Sequence, residues 1–337
     1  MSHILIIRLS AIGDIAMAAA VVRQVAVQFP DTVFTMVSQP FMQPLFTGLP
    51  NLRFIGIDEK TDYRGLRGIW RLCRMIRAQQ PDVVADIHDV LRTQILRGLL
   101  RLSGRRVRVI RKGRAAKRRL TRRRYKVRQP LKSTFDRYRE TLARCIGQPL
   151  SPDAPPATPA YMPSSGGITP TTSKVVGIAP FAAHDGKVYP TEKMQEVVAY
   201  FAACADTEVF LFGGGRREQT ILEEWERRYP PVRSTAGQLT LADELALMQR
   251  LSVMISMDSA NMHFASFVGT PVVSVWGATH PYAGFYGWRQ APGNAVCAEL
   301  PCSPCSIYGN KPCFRRDYHC LQSIPPAVII ARAQAFL

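Results

Sequence analysis

The chain opens on a short apolar run, residues 4–9, broken only by Arg8. A run without period-two alternation predicts a strand buried on both faces, as in a parallel sheet. Ser10-Ala11-Ile12-Gly13-Asp14 then turns the chain. Apolar positions at Ile12, Ile15, Ala19, Val22, Ala26 and Phe29 predict a helix with one buried face, stopped at Pro30-Asp31. Strand-like runs follow at 32–37, 53–57 and 82–87, with an amphipathic helix over 66–79. Beyond residue 173 the alternation restarts, with strands at 174–179, 208–212, 253–257 and 271–276 and helices at 191–205, 216–228 and 263–268. Another helix is announced by the cap pattern Thr240-x-x-Asp243 and carries Leu241, Leu245, Met248 and Leu251 on one side. Strands alternating with helices predict doubly wound parallel sheets.

The boundary between the two series is written in proline. Pro149, Pro152, Pro155, Pro156, Pro159, Pro163 and Pro170 surround Ser164-Ser165-Gly166-Gly167. Proline removes backbone donors and glycine raises the entropy cost of order, so 151–173 is expected to link a domain over 1–150 to one over 174–324. Pro325-Pro326 then sets off a final helix ending at residue 337. A length of 337 residues suits two domains of about 150 each.

Charge changes the picture more than length does. Forty-four Lys and Arg against twenty-five Asp and Glu give a net +19, pointing to anionic partners. Fourteen of the twenty-four residues from 105 to 128 are basic, a density expected to leave the segment exposed and mobile within the first domain. Arg111, Lys112, Arg122, Arg123 and Arg124 are its candidate contacts to an acidic acceptor or an anionic membrane surface. A nucleic-acid role competes, but Tyr125 is the tract's one aromatic residue for base stacking. The first apolar run, Ile4 to Ile7, is too short for a signal-peptide core, and nowhere is an apolar run long enough to span a membrane. The eight cysteines are therefore expected to be reduced, and Cys302, Cys305, Cys313 and Cys320 form a candidate structural zinc set.

Three loops carry candidate chemistry. Gly13-Asp14 stands where a strand gives way to a helix, a position suited to a general base or to dipole complementation. Asp258, Ser259, Ala260, Asn261 and His263 form a polar loop between a strand and a helix; backbone N–H groups there suit a diphosphate, while N-capping by Asp258 or Ser259 is the plain structural alternative. Gly213-Gly214-Gly215 precedes a helix containing Glu218 and permits close approach of a nucleotide. Lys187, in a loop after residue 179, offers a mobile positive charge to a phosphate.

Taken together, these segments resemble glycosyltransferase family 9, the lipopolysaccharide heptosyltransferases. The likeness rests on Ile6-Ile7-Arg8-Leu9-Ser10-Ala11-Ile12-Gly13-Asp14, on Met257 through Ala265, on Gly269-Thr270-Pro271-Val272-Val273, and on Trp276-Gly277-Ala278-Thr279-His280-Pro281. The resemblance implies a GT-B fold of two Rossmann-like domains with an interdomain cleft, acceptor side first and nucleotide-sugar side second. It implies an inverting reaction that needs no cofactor or metal, moving heptose from ADP-heptose to a lipopolysaccharide core or lipid A-Kdo type acceptor. On that pattern Asp14 is the base and Lys187 steadies the departing diphosphate. Gly13, Gly214, Glu218, Asp258, Ser259, Ala260, Asn261 and His263 bind the donor. The implied setting is cytoplasmic, at the inner face of the inner membrane, with no specific nucleic acid. The family more often has Gly where this chain has Ala260, and Pro or Leu where it has Asn261. Both positions flank the donor sugar, so a transferase for another nucleotide-sugar and another surface glycan is the competing enzyme reading.

Overall fold

The computed structural model describes residues 2–155 and 157–337; Met1 of the first expected domain and Pro156 of the expected linker lie outside the described residues. The chain divides into two compact units, one ending at Lys112 and resuming over Thr134–Pro159, the other made of Gly113–Ser133 and Ala160–Leu337.

The first unit runs β1 (Ser2–Ile7), α1 (Ile12–Gln28), β2 (Thr32–Ser38), β3 (Leu52–Gly56), α2 (Gly65–Ala78), β4 (Val83–Asp86), α3 (Leu91–Leu102) and β5 (Arg106–Val109). Helix α4 (Arg114–Thr121) follows and belongs to the second unit, after which α5 (Thr134–Ile146) returns to the first. The strands pair in parallel in the order β3-β2-β1-β4-β5, with Ile4 of β1 in register with Phe34 of β2 and Val83 of β4. The Ile4–Ile7 run fills the centre at no more than 1% exposure, which contributes about 1.5–3 kcal/mol per side chain. Helix α1 departs from the one-face expectation, since residues 15–26 are buried all round. The Arg23 guanidinium survives there by donating to the carbonyls of Leu45, Thr47 and Ala157, and the Gln24 amide reaches that of Ala154. The start of the proline-rich stretch is thus bonded to α1 by buried side chains.

The second unit runs β6 (Lys174–Ala179), α6 (Thr191–Ala202), β7 (Thr207–Leu211), α7 (Arg216–Arg228), β8 (Val232–Ser234), α8 (Leu241–Met248), β9 (Val253–Met257), α9 (Ala260–Phe267), β10 (Val272–Trp276), β11 (Ala295–Cys297), α10 (His319–Gln322) and α11 (Pro326–Gln334). Its parallel order is β11-β10-β9-β6-β7-β8, so the strand order reverses between β9 and β6 as it does between β1 and β4 in the first sheet. Such reversals open a crevice at the carboxyl ends of the strands, where ligands bind in doubly wound folds. Helix α8 begins as expected, with the Thr240 hydroxyl oxygen accepting from Asp243 N at 3.2 Å.

The basic tract is more ordered than its charge suggested. Residues 106–109 form the edge strand β5 on β4, and 114–121 are helical. From Gly113 onward the tract packs on the second unit. Lys117 is 9% exposed with its ammonium 4.4 Å from the Phe285 ring centre, and Lys126 Nζ donates to the carbonyls of Cys302 and Pro304 at 2.5 and 2.7 Å. Arg128 pairs with Glu299 at 3.0 Å. Aromatic faces and carbonyl dipoles thus hold cations that the composition alone would leave exposed.

Candidate active site

In the first unit, the chain leaves β1 and reaches Asp14 in the opening turn of α1, whose N-cap residue Ala11 supplies no side-chain bond. Asp14 is ion-paired instead with Arg8, a residue 7% exposed whose Nη1 donates to the Ile87 carbonyl at 2.9 Å. The guanidinium therefore ties the loop after β1 to the loop after β4. A second tie joins Ser10 Oγ to His88 Nε2 at 3.1 Å. The β4 loop is itself fixed by Asp86, whose Oδ1 accepts from the backbone N–H of His88 at 3.0 Å and of Asp89 at 2.8 Å. Arg97 reaches Asp89 Oδ1 at 3.0 Å, and Lys112 Nζ donates to the Asp89 carbonyl at 3.1 Å. Asp14 and Lys112 thus stand on one rim of the first sheet, with Gly13 beside Asp14. Arg111 is exposed, and its carbonyl accepts from Arg137.

Sequence reasoning missed Arg8 and His88. Arg8 looked like the charge that ends an apolar run, and His88 had no spacing to mark it. Burial first, then the charges of Arg8 and Lys112, hold the His88 imidazole down at about 3, so it is neutral at pH 7. A histidine depressed in the folded state loses its contribution to stability progressively, as pH falls, over the range where only the unfolded chain binds the proton. That window runs from the ordinary value near 6.5 down to about 3. Lowering the pH from 7 to 5 is expected to withdraw about 2 kcal/mol through this residue. His88→Gln, which cannot titrate, should lose that much less over the same interval, as measured by urea unfolding at the two pH values. Parallel pH profiles for wild type and variant would count against the assignment.

In the second unit, three loops gather at the carboxyl edge around the reversal between β6 and β9. Lys187 closes a short 3-10 turn, Asp185–Lys187, after β6. Its Nζ lies 2.9 Å from Asp258 Oδ2 and 3.2 Å from the Asp258 carbonyl, at the end of β9. Asp258 is 4% exposed. Capping does not account for this loop: Ser259 stands at the N-cap of α9 with no side-chain cap bond, and its Oγ faces Ser256 Oγ at 3.2 Å. Helix α9 starts at Ala260, earlier than the spacing predicted, so Ala260, Asn261 and the buried His263 occupy its first turn. After β7, Gly215 adopts a φ of +82°, open to glycine, and Gly214 N donates to Glu218 Oε2 at 2.8 Å. The Glu218 carboxylate is folded over the glycine turn. The long segment before α10 closes on the same edge. Gly309, at φ +75°, lies so close that a Cβ there would sit 2.6 Å from Lys187 Cγ.

Arg122, Arg123 and Arg124 belong to this second unit, exposed on the packed tract, with Arg123 4.6 Å from the Phe314 ring centre. The five candidate acceptor cations are therefore divided between the units, Arg111 and Lys112 in the first and these three in the second. The zinc expectation needs correction. Among the described residues no group of three or more His, Cys, Asp or Glu side chains is placed to hold a metal ion, and every cysteine is a free thiol. Cys320 is buried in the apolar core of the second unit, where burial pushes its thiol up to about 12 and keeps it protonated.

Comparison with known proteins identifies the family. The glycosyltransferase family 9 (heptosyltransferase) profile matches residues 69–312, more than half of the chain. The lipopolysaccharide core heptosyltransferase OpsX of Haemophilus influenzae is 24% identical over 300 residues, 86% of this chain and 81% of that protein. A glycosyl transferase of family 9 from Veillonella parvula superposes with a TM-score of 0.74 at 18% identity, covering 99% of this chain and 97% of the other. The Escherichia coli heptosyltransferase WaaC with ADP superposes at 0.63 and 18% identity, covering 87% and 94%. The two Rossmann-like units are those of the GT-B fold. The chain belongs to glycosyltransferase family 9, the heptosyltransferase family, and is an enzyme of glycosyl transfer.

Proposed function

We propose that this enzyme transfers heptose from ADP-heptose to an anionic lipopolysaccharide core or lipid A-Kdo type acceptor, inverting the anomeric centre without a metal ion. The observation that carries the reading is the Lys187–Asp258 pair at 2.9 Å, which bridges the strand-order reversal of the second sheet. There the ammonium and the first turn of α9 offer positive potential to a diphosphate. Similarity to the heptosyltransferase OpsX and to WaaC with ADP supports the sugar and the nucleotide.

In this reaction the acceptor oxygen attacks the anomeric carbon, its proton passes to the Asp14 carboxylate, and the bond from that carbon to the diphosphate oxygen breaks. Charge growing on the leaving ADP is met by Lys187 and by backbone N–H groups, the roles a divalent ion fills in other transferases. Arg8 fixes the orientation of Asp14, and Asp258 orients Lys187 and the sugar hydroxyls. Ser259, Ala260, Asn261, His263 and Glu218 complete the donor contacts. The enzyme works on the cytoplasmic side at the inner membrane, where its excess positive charge meets anionic lipid and acceptor.

The test is mass spectrometry of a heptose-deficient lipopolysaccharide acceptor after incubation with a panel of nucleotide-sugars and a metal chelator. A mass gain of one heptose from ADP-heptose, undiminished by chelator, is the expected result. Consumption of another donor in its place would remove the heptosyl assignment.

A further inference from the structure

Helices α2 and α3 lie side by side on one face of the first sheet, and their outward stripes break the usual rule for solvated helices. Inward, α2 buries Ile69, Leu72, Cys73 and Ile76, and α3 buries Leu96 and Leu100. The outward stripe of α3 ought then to be polar. It carries instead Leu91, Ile95 and Leu102, which are 73%, 37% and 87% exposed. On α2 the outward positions include Leu66 at 72% and Trp70 at 57%. Spacings of four residues (Leu66/Trp70, Leu91/Ile95) and of seven (Ile95/Leu102) align these side chains along each helix, and α2 packs against α3, so the exposed apolar groups form a patch rather than scattered singles.

The polar residues of the same helices are of one sign. Helix α2 holds Arg67, Arg71, Arg74 and Arg77, α3 holds Arg92, Arg97 and Arg101, and neither contains an acidic residue. Some of this charge is engaged: Arg92 pairs with Glu59, and Arg97 with Asp86 and Asp89. Arg74 stacks 4.8 Å from the Trp70 ring centre. Arg67, Arg77 and Arg101 point outward beside the leucines.

We infer that the outer face of α2 and α3 is a docking surface for an anionic phospholipid bilayer. Leucine and tryptophan enter the headgroup boundary while the arginines meet lipid phosphates, the composition of interfacial helices. A second copy of this chain fits worse, because a two-fold contact through this face would set arginine against arginine. The patch is continuous with the chemistry of its own unit, since Leu91 follows Asp89 by two residues at the carboxyl edge that carries Asp14. The inference rests on the proposal that the acceptor is a membrane-borne glycolipid, and it names the face that would meet such a substrate. It also places docking on these two helices rather than on Arg122, Arg123 and Arg124.

The test is co-sedimentation of the full chain with vesicles of phosphatidylethanolamine and phosphatidylglycerol at 3:1, against phosphatidylcholine vesicles. Wild type is expected to bind the anionic vesicles and not the neutral ones. Substituting Leu66→Gln, Trp70→Gln and Leu102→Gln together should weaken that binding at least tenfold without lowering Tm, because all three side chains are exposed. Replacing Arg67, Arg77 and Arg101 with Gln, a second and independent variant, should weaken it by roughly fivefold per arginine and flatten its salt dependence. Absence of wild-type binding overturns the inference. So does loss of binding in Arg122→Gln, Arg123→Gln, Arg124→Gln with the helix variants unaffected. A wild-type dimer that the Leu66, Trp70 and Leu102 substitutions dissolve would assign the face to a second copy instead. Transfer to a deacylated, water-soluble acceptor is measured alongside and is expected to be unchanged in the helix variants. Vesicle binding by a wild type that transfers no sugar would defeat the transferase proposal and leave the docking face standing.

Discussion

Asp14→Asn is expected to lower kcat by about 10²–10⁴-fold, the range in which a positioned base contributes. Asparagine keeps the size of the side chain and can still accept from Arg8, so the loop after β1 should hold its shape. What is lost is the ability to take a proton from the acceptor hydroxyl. Binding of ADP to the second unit, followed by calorimetry, should be unchanged. Turnover close to wild type would remove Asp14 from the role of base, and a matching loss of ADP affinity would mean a structural effect.

The next largest effect should come from Lys187. Its removal deprives the leaving diphosphate of a cation that acts as charge develops, and Lys187→Ala is expected to cost about 10²–10³-fold in kcat. It also leaves the Asp258 carboxylate, 5% exposed, without its partner. Breaking one side of a buried pair costs about 3–5 kcal/mol. The two consequences separate in a double-mutant cycle. Lys187→Ala combined with Asp258→Ala should recover part of the lost stability, measured by urea unfolding, while activity stays at the level of the single variant or below. Strictly additive destabilisation would show that the pair is not coupled.

The sequence made much of this unit-by-unit architecture legible, and for a physical reason. Strands such as β1, β6, β9 and β10 are covered on both faces and so read as mainly apolar runs, with Ser256 in β9 and Ser274 in β10 as small buried exceptions. The loops that follow β1, β7 and β9 must leave backbone accessible and so read as Gly-Asp, Gly-Gly-Gly and Asp-Ser-Ala. Helix α3 was not recognised, because its outward leucines blur the polar stripe that amphipathic helices show. The short edge strands β8 and β11 lack the length that makes a run visible. Arg8 and His88 escaped because their roles depend on two loops distant in sequence meeting at one strand-order reversal. The basic tract misled because its density of charge implied full exposure, whereas Lys117 and Lys126 are held by an aromatic ring and by carbonyl oxygens.

That tract has a bearing on how the gene can be rearranged. Because Gly113–Ser133 is covalently inside the first half yet belongs to the second body, the polypeptide passes between bodies at 112–113, 133–134 and 159–160. A cut in the proline stretch would release a fragment stripped of α4, exposing the Phe285 and Tyr308 rings that Lys117 covers. On the proposed donor role of the second unit, splicing homologues at that stretch alone is therefore expected to give a poorly folded donor half. A chimera is expected to need residues 113–133 carried along with the half they serve, so the exchangeable cassette is discontinuous in the gene.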